Sequence, residues 1–284
     1  MHSFIKKIRQ YWTLTKSLQT GLLISTGLAG YMSARCPVFN LGTLLGLGAS
    51  LFLAIAGSTV LNMWWDCDID TKMRRTQKRP LCTGEVGCTE ALRLGLVLAL
   101  AGVGLALAMD LLYGLIVFAG LFFDVVIYTY WLKRRTCWSI VWGGISGGMP
   151  ILAGRALGLG SIDWIGVLLS IAVLFWIPTH ILTYSMKYFE DYKNAGIPTF
   201  PSTYGFNVTR YVIAISNIFA SLAMGFSAWL IGATVLHLGS LAILSIILMA
   251  LAVISVFKPT ERVNHGLFKY ASVYMLLAML LMVF

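Results

Sequence analysis

Residues 40–70 read NLGTLLGLGASLFLAIAGSTVLNMWWDCDID. No charged side chain occurs between Leu41 and Trp65, and the stretch then ends in three aspartates. An apolar run of about 20 residues is long enough to cross the hydrocarbon of a bilayer as a helix. The rest of the chain has the same character. Of its 284 residues 58% are hydrophobic and only 11% charged, and the mean hydropathy is +0.83. Soluble domains carry about 25% charged residues, which excludes a soluble enzyme, and disorder needs low hydrophobicity. The composition therefore predicts an all-α, polytopic membrane protein.

Working outward from that stretch, eight further apolar segments join 40–62: residues 17–34, 91–109, 111–131, 138–157, 164–187, 210–234, 238–257 and 268–284. They predict nine transmembrane helices around a central cavity, forming a single domain over 17–284. Residues 1–16 place Lys6, Lys7, Arg9 and Lys16 among Phe4, Ile5, Ile8, Tyr11 and Trp12, an amphipathic pattern suited to an anionic inner leaflet. No small-residue cleavage site follows this basic start, so a signal peptide is not expected.

The net charge is +10, and its distribution explains it. Nineteen of the 21 Lys and Arg fall on one side of the nine-helix layout, with only Arg35 and Arg155 on the other. The positive-inside rule puts the basic side and the N-terminus in the cytoplasm and the C-terminus outside. The charge thus reports topology in a plasma membrane rather than a nucleic-acid partner. The five cysteines, Cys36, Cys67, Cys82, Cys88 and Cys137, form no C-x-x-C pair. They predict free thiols rather than a zinc ribbon or redox dithiol.

Seven of the eleven acids lie in two long loops on the basic side, 63–90 and 188–209. Long loops in a compact protein are usually functional. In the first, Asn62, Asp66 and Asp70 recur at i, i+4 and i+8 and share one helical face. Like charges at i, i+4 repel, and a cation would relieve them. An all-oxygen ligand set suits Mg²⁺, which takes one or two carboxylates plus substrate phosphates. Asp68 points about 160° away from Asp70. Lys72, Arg74, Arg75, Lys78 and Arg79 follow, and arginine forks match phosphate oxygens. The pattern reads as a diphosphate–Mg²⁺ site, the competing reading being a solvated helix end.

In the second loop, His180, Tyr184, Lys187 and Asp191 would share a face if the helix of 164–187 continued. Asp191 is then the metal-side ligand and Lys187 the phosphate partner. The bland alternative is a capped helix end with a satisfied histidine. Asp124 lies inside the fourth span. An intramembrane acid is either a functional group or one bonded to a neighbouring helix.

The motif Asn62-x-x-x-Asp66-x-x-x-Asp70-x-x-Met73-x-Arg75-Thr76-x-x-Arg79-Pro80-Leu81-x-x-Gly84 resembles the signature of the UbiA superfamily of intramembrane prenyltransferases. Within it the chain is most like the protohaem IX farnesyltransferase branch. The stretches Tyr128-Thr129-x-x-Leu132-Lys133-Arg134-Arg135-Thr136, Gly143-Gly144-x-x-Gly147-x-Met149-Pro150 and Asp191-Tyr192-x-x-Ala195-Gly196-Ile197-Pro198-x-x-Pro201 agree with that. Departures are Lys187, where many members carry another aspartate, and Thr199-Phe200 and Ser202-Thr203-Tyr204. They leave the number of metal ions open.

The resemblance implies transfer of a farnesyl group from farnesyl diphosphate to a vinyl carbon of haem B, giving haem O and diphosphate. It implies Mg²⁺ held by Asn62, Asp66, Asp70 and Asp191, and diphosphate held by Arg75, Arg79, Lys133 and Lys187. His180, Tyr184 and Tyr128 would line the acceptor pocket, His180 as a possible approach to the iron. Another acceptor, an aromatic quinone precursor or a glycerol-phosphate lipid, would use the same diphosphate parts. A transporter or haem-handling protein would instead place charges near the bilayer midplane. The sequence leaves the oligomeric state open.

Overall fold

A computed structural model describes residues 2–34 and 40–283. Among them every regular element is helical. In chain order these are α1 (His2–Leu14), α2 (Ser17–Ser33), α3 (Leu41–Trp65), the single turn α4 (Cys67–Asp70), α5 (Cys88–Met109) and α6 (Leu111–Phe122). A π-helix, Phe123–Leu132, continues α6, and α7 (Ser139–Leu159), α8 (Trp164–Lys187), the short α9 (Phe189–Asn194), α10 (Phe200–Ile231), α11 (Val235–Phe257) and α12 (Glu261–Val283) follow. Arg35 and Cys36, two of the residues weighed above, lie outside the described residues. The four described cysteines are free thiols.

Polar side chains set where the helices begin. Asn40 accepts the Thr43 N–H at 3.2 Å, Asp110 that of Tyr113 at 2.7 Å and Asp163 that of Gly166 at 2.9 Å. Each satisfies a donor that the first turn leaves without a partner. Asp110 and Asp163, acids outside the two loops, are thus committed to starting α6 and α8.

Seven described helices are long and apolar enough to cross a membrane: α3, α5, α6 with its π continuation, α8, α10, α11 and α12. The expected nine includes α2 and α7, which fall outside that measure. α2 has 17 residues, and α7 is rich in glycine and contains Arg155. These two helices pack on each other so closely that side chains are excluded. A Cβ on Gly30 would sit 2.1 Å from the Ile151 carbonyl oxygen, and one on Gly154 1.9 Å from that of Gly27. Small residues let helix backbones approach where lipid supplies no hydrophobic drive.

The interior divides into clusters. Trp176, Met224, Leu248 and Tyr274 belong to the largest, between α8, α10, α11 and α12. Tyr31, Leu51, Tyr113 and Ala153 anchor a second between α2, α3, α6 and α7. Two smaller ones matter for the site. Leu14 of α1 packs with Val60, Met63, Leu81, Val86 and Ala91, pinning the 63–90 loop onto α3 and α5. Ile69 and Met73 of that loop pack with Ala195 and Ile197 of the 188–209 loop. The two acidic loops, more than a hundred residues apart, are therefore joined by an apolar seam.

Four local features differ from the sequence reading. α3 ends at Trp65, and Asp66 leaves helical geometry at φ −90°, ψ 6°, so Asp70 sits in a separate turn. The Asp66 N–H still reaches the Asn62 carbonyl and the Asp70 N–H the Asp66 carbonyl, which preserves the four-residue spacing across the break. α8 ends at Lys187, and Tyr188 (φ −108°, ψ 34°) turns the chain before Asp191. α10 starts at Phe200 with Thr199 as its cap and Pro201 in its first turn, then kinks at Gly205, whose φ of 81° favours glycine. Finally, residues 123–132 are π-helical, a rare form frequent at functional sites.

Candidate active site

Asp66 and Asp70 are almost completely buried, at 1% and 5% exposure, although they follow a helix end. A buried carboxylate needs a cation or several donors. Each has one, supplied by a different segment. Lys133, just past the π-helix, donates to Asp66 Oδ2, and Arg79, in the loop, donates to Asp70 Oδ2. The pairing is incomplete. Asp66 Oδ1 is buried without a hydrogen bond, with Arg134 Nη2 3.7 Å away. The Nε atoms of Arg75 and Arg134 and Trp65 Nε1 are likewise buried without partners. Such orphans are rare in folded proteins and mark strain or a site for a ligand.

Burial works against the Lys133 ammonium, but Tyr128 and the Asp66 carboxylate beside it hold its pKa above the usual lysine value. It is a cation at any physiological pH. Asp68, as its direction away from Asp70 predicts, is exposed and meets the buried pairs only through Arg134. Arg134 grips it with two hydrogen bonds, at 2.7 and 2.8 Å, while also donating to the Trp65 carbonyl at 2.7 Å. Those bonds hold the Asp68 carboxyl below the ordinary carboxylate range.

Asn62 donates to Thr129 Oγ1 at 2.8 Å, and Thr129 donates to the Asp124 carbonyl. Its amide nitrogen thus faces the π-helix and the amide oxygen is the atom left for a ligand. Asp124 accepts a hydrogen bond from Ser58, so it ties the π-helix to α3, the neighbouring-helix role that the sequence left open. Tyr128 sits on the same segment, beneath the Lys133 ammonium at 5.7 Å from its ring centre.

From the second loop, Asp191 accepts the backbone N–H groups of Arg74 and Arg75, at 3.3 and 3.2 Å. It anchors the basic segment of the first loop, an engagement invisible in sequence because the partners are main-chain atoms. The Arg75 guanidinium lies over the rings of Tyr184 and Tyr188, at 4.9 and 5.3 Å. Arg74, Arg75, Lys187, Tyr188, Glu190 and Asp191 line a cleft of about 620 Å³. Lys187 is exposed there, its ammonium 5.4 Å from the Tyr188 ring centre.

His180 is not in this ion-pair cluster. It is sandwiched between Trp176 and Phe268, ring centres 5.3 and 4.6 Å away, with Nδ1 3.4 Å from Ser272 Oγ. Phe268 also meets Tyr184 at 5.7 Å. An aromatic column therefore runs along α8 and α12 from Trp176 through His180 and Tyr184 to Arg75. Its upper end joins the cleft, and its lower end lies within the span.

Among the described residues no three His, Cys, Asp or Glu side chains come close enough to hold a metal by themselves. Two buried carboxylates, one with an orphaned oxygen, and an amide oxygen fit a cation that draws its remaining ligands from a phosphate and water, as Mg²⁺ does.

Comparison with known proteins bears on this arrangement. The profile of the UbiA prenyltransferase family matches residues 23–281. A protoheme IX farnesyltransferase of Pyrobaculum arsenaticum is 39% identical over 249 residues, covering 85% of this chain and 88% of the relative. That of Pyrobaculum islandicum is 35% identical over 280 residues, 96% of this chain and 99% of the relative. Among solved structures, one concerning digeranylgeranylglyceryl phosphate synthase superposes with a TM-score of 0.80 at 19% identity, covering 98% of both chains. A UbiA homologue from Archaeoglobus fulgidus bound to GPP and Mg²⁺ gives 0.69 at 14% identity, over 96% of this chain and 99% of that one. At such identities the structures speak for the fold alone.

Proposed function

The chain belongs to the UbiA prenyltransferase family, and we infer that it transfers a farnesyl group from farnesyl diphosphate to a vinyl group of haem B, with addition of water, giving haem O and diphosphate. One observation carries the acceptor: the similarity to protoheme IX farnesyltransferases runs over almost the whole of both chains. The site supplies the parts that the donor half of the reaction needs.

The allylic C–O bond breaks with its electron pair leaving on the diphosphate, and the vinyl π electrons form the new C–C bond. Water then adds to the remaining vinyl carbon and loses a proton. Charge on the leaving group is what must be stabilised. Asn62, Asp66 and Asp70 would hold Mg²⁺, with Asp191 contributing a remaining lone pair from the second loop. Bound there, the metal would neutralise diphosphate charge as a Lewis acid. In this reading Lys133 and Arg79 exchange partners when substrate enters. They balance the buried carboxylates in the free enzyme and turn to diphosphate oxygens in the complex. Arg75 and Lys187 reach the same anion from the cleft. Arg75 is already oriented by two tyrosine faces, so little freedom is lost on binding. Asp191 holds the backbone that carries Arg74 and Arg75, which places the first loop over the site.

The aromatic column gives the acceptor a flat, largely apolar wall next to the donor, and Tyr128 adds a ring face beside Lys133. Ring faces there stabilise an allylic cation, and exclusion of bulk water keeps it from early hydrolysis. His180 supplies the imidazole that could approach the haem iron. By the positive-inside rule the basic face and the N-terminus would lie in the cytoplasm, in a plasma membrane.

The test is turnover of purified protein with farnesyl diphosphate and Mg²⁺, offered haem B, an aromatic quinone precursor or a glycerol-phosphate lipid. The reading expects only haem B to gain the mass of a farnesyl group plus a hydroxyl. Prenylation of either other acceptor, with haem B unchanged, contradicts it. Exchange of His180 for alanine should shift the Soret band of bound haem, and an unchanged spectrum removes His180 from the iron.

A further inference from the structure

Three rungs join α3 to the π-helix and the residue after it. Ser58 donates to Asp124 Oδ2, Asn62 donates to Thr129 Oγ1 at 2.8 Å, and Lys133 donates to Asp66 Oδ2. On the α3 side the rungs stand at residues 58, 62 and 66, the four-residue step of one helical face. On the other side they stand at 124, 129 and 133. An α-helix cannot serve that second spacing. At 3.6 residues per turn, the nine residues from Asp124 to Lys133 would turn it by about 900°, leaving the two side chains about 180° apart. With i→i+5 bonds a turn takes roughly four and a half residues, so nine complete about two turns and both side chains return to one face.

The π geometry is visible in its own bonds. The Lys133 N–H reaches the Tyr128 carbonyl and the Thr129 hydroxyl reaches the Asp124 carbonyl, both at 2.8 Å and both five residues back. Gly143 of α7 leaves room for the segment, since a Cβ there would stand 3.2 Å from Tyr128 Cδ2. The rungs differ in what they do. The third sets a cation on the Asp66 carboxylate, and the second leaves the Asn62 amide oxygen to a ligand. Neither partner of the first, Ser58–Asp124, is among the residues that would hold metal or diphosphate. Yet an ionisable group within a span is costly and marks a function by default. What the first rung does is hold the far end of the π-helix to the same face of α3 as the site. Rewound to ordinary α-helical bonds, the segment would carry Lys133 away from Asp66.

Resting on the donor site read above, we propose that Asp124 is a positioning residue for the prenyl diphosphate. Through its bond to Ser58 it fixes the register of the π-helix on α3, so that Lys133 falls opposite Asp66. Asp124 thus acts through Lys133 and touches neither substrate. Its influence is confined to the donor half, because all three rungs lie on α3 and none involves the His180 column.

The experiment measures Mg²⁺–pyrophosphate binding by calorimetry, and KM for both substrates, per folded molecule as judged by size exclusion in detergent. The proteins are wild type, D124A, S58A, the S58A/D124A double variant, D124N, and K133M with and without D124A. Loss of the buried bond should weaken pyrophosphate and raise the KM for the prenyl diphosphate about tenfold in D124A and S58A. The acceptor KM should stay unchanged. The double variant should do no worse than either single one, because both remove the same bond, and D124A should add nothing in the K133M protein. D124N still offers Ser58 an acceptor oxygen and should stay within about threefold of wild type. Unchanged pyrophosphate affinity in D124A overturns the inference, even if less of the protein folds. So does a D124N as weak as D124A, which would put the charge rather than the register to work, or a full D124A loss on top of K133M. If wild-type protein fails to bind Mg²⁺–pyrophosphate at all, the donor site itself is refuted, and the positioning role with it.

Discussion

Buried ion pairs stand at both ends of the bundle and are finished differently. At the end away from the acidic loops, Arg155 of α7 gives Nε and Nη2 to the two oxygens of Asp163, both at 2.8 Å, and Nη1 to the carbonyl and hydroxyl of Ser33. Asp163 also accepts the Gly166 N–H. Neither side chain leaves a buried polar atom without a partner. At the basic end, Lys133–Asp66 and Arg79–Asp70 are as buried, yet Asp66 Oδ1 and the Nε atoms of Arg75 and Arg134 are unmatched. A saturated pair fastens α2, α7 and α8 together and can do nothing else. An unsaturated cluster of both signs has capacity left for a metal and an anion.

The largest effect that would break this contrast is on turnover. D66N keeps shape but removes the charge that Lys133 and a metal share. It should lower kcat/KM by roughly 10²–10³-fold, the scale of losing one preorganised electrostatic contact; because it also strands the Lys133 ammonium, some thermal stability should be lost as well, and the rate is compared per folded molecule, as judged by size exclusion in detergent. Activity within a few-fold of wild type would erase the distinction between the two ends.

The reciprocal change is D163A, which strands Arg155 at 5% exposure. Breaking a buried pair from one side costs about 3–5 kcal/mol, so thermal stability should fall sharply while kcat per folded molecule holds. Hydrogen bonds from Arg155 keep the Asp163 carboxyl below its ordinary value of 3.8, even though burial opposes this. Its contribution is therefore present throughout neutral pH and is lost only as pH falls through that lowered value. Thermal melts of wild type at pH 5 and pH 8 should show no loss traceable to this pair. The smallest effect is expected for D68N. Its side chain is 59% exposed, and exposed pairs contribute at most about 1 kcal/mol, so activity should stay within a few-fold.

The all-helical membrane fold and seven of the expected spans were legible in sequence because composition and periodicity carry them. α8 falls on its expected 164–187. The spacing of Asn62, Asp66 and Asp70 survives the break at Asp66 because backbone bonds continue across it. Other features depend on partners that no spacing encodes. Asp191 uses its oxygens on main-chain N–H groups, and Asp124 meets Ser58 across two helices. The π-helix of 123–132 has no distinctive residue pattern of its own. The start of α10 was hidden because Pro201 and Gly205 read as loop residues, while the Thr199 cap and a tolerated proline in the first turn allow a helix there. α2 and α7 qualify less clearly as spans than their neighbours because their glycines serve close contact rather than hydropathy.

The central claim is that the unsaturated carboxylates at the basic end await a metal and a diphosphate together. It is tested most directly by titrating purified protein with farnesyl diphosphate in the presence and absence of Mg²⁺, for wild type and D66N. Wild type should bind at least about a hundredfold more tightly with the metal, a coupling of nearly 3 kcal/mol, and D66N should lose most of that dependence. Equal affinity with and without Mg²⁺ in wild type, or undiminished metal dependence in D66N, would contradict the account.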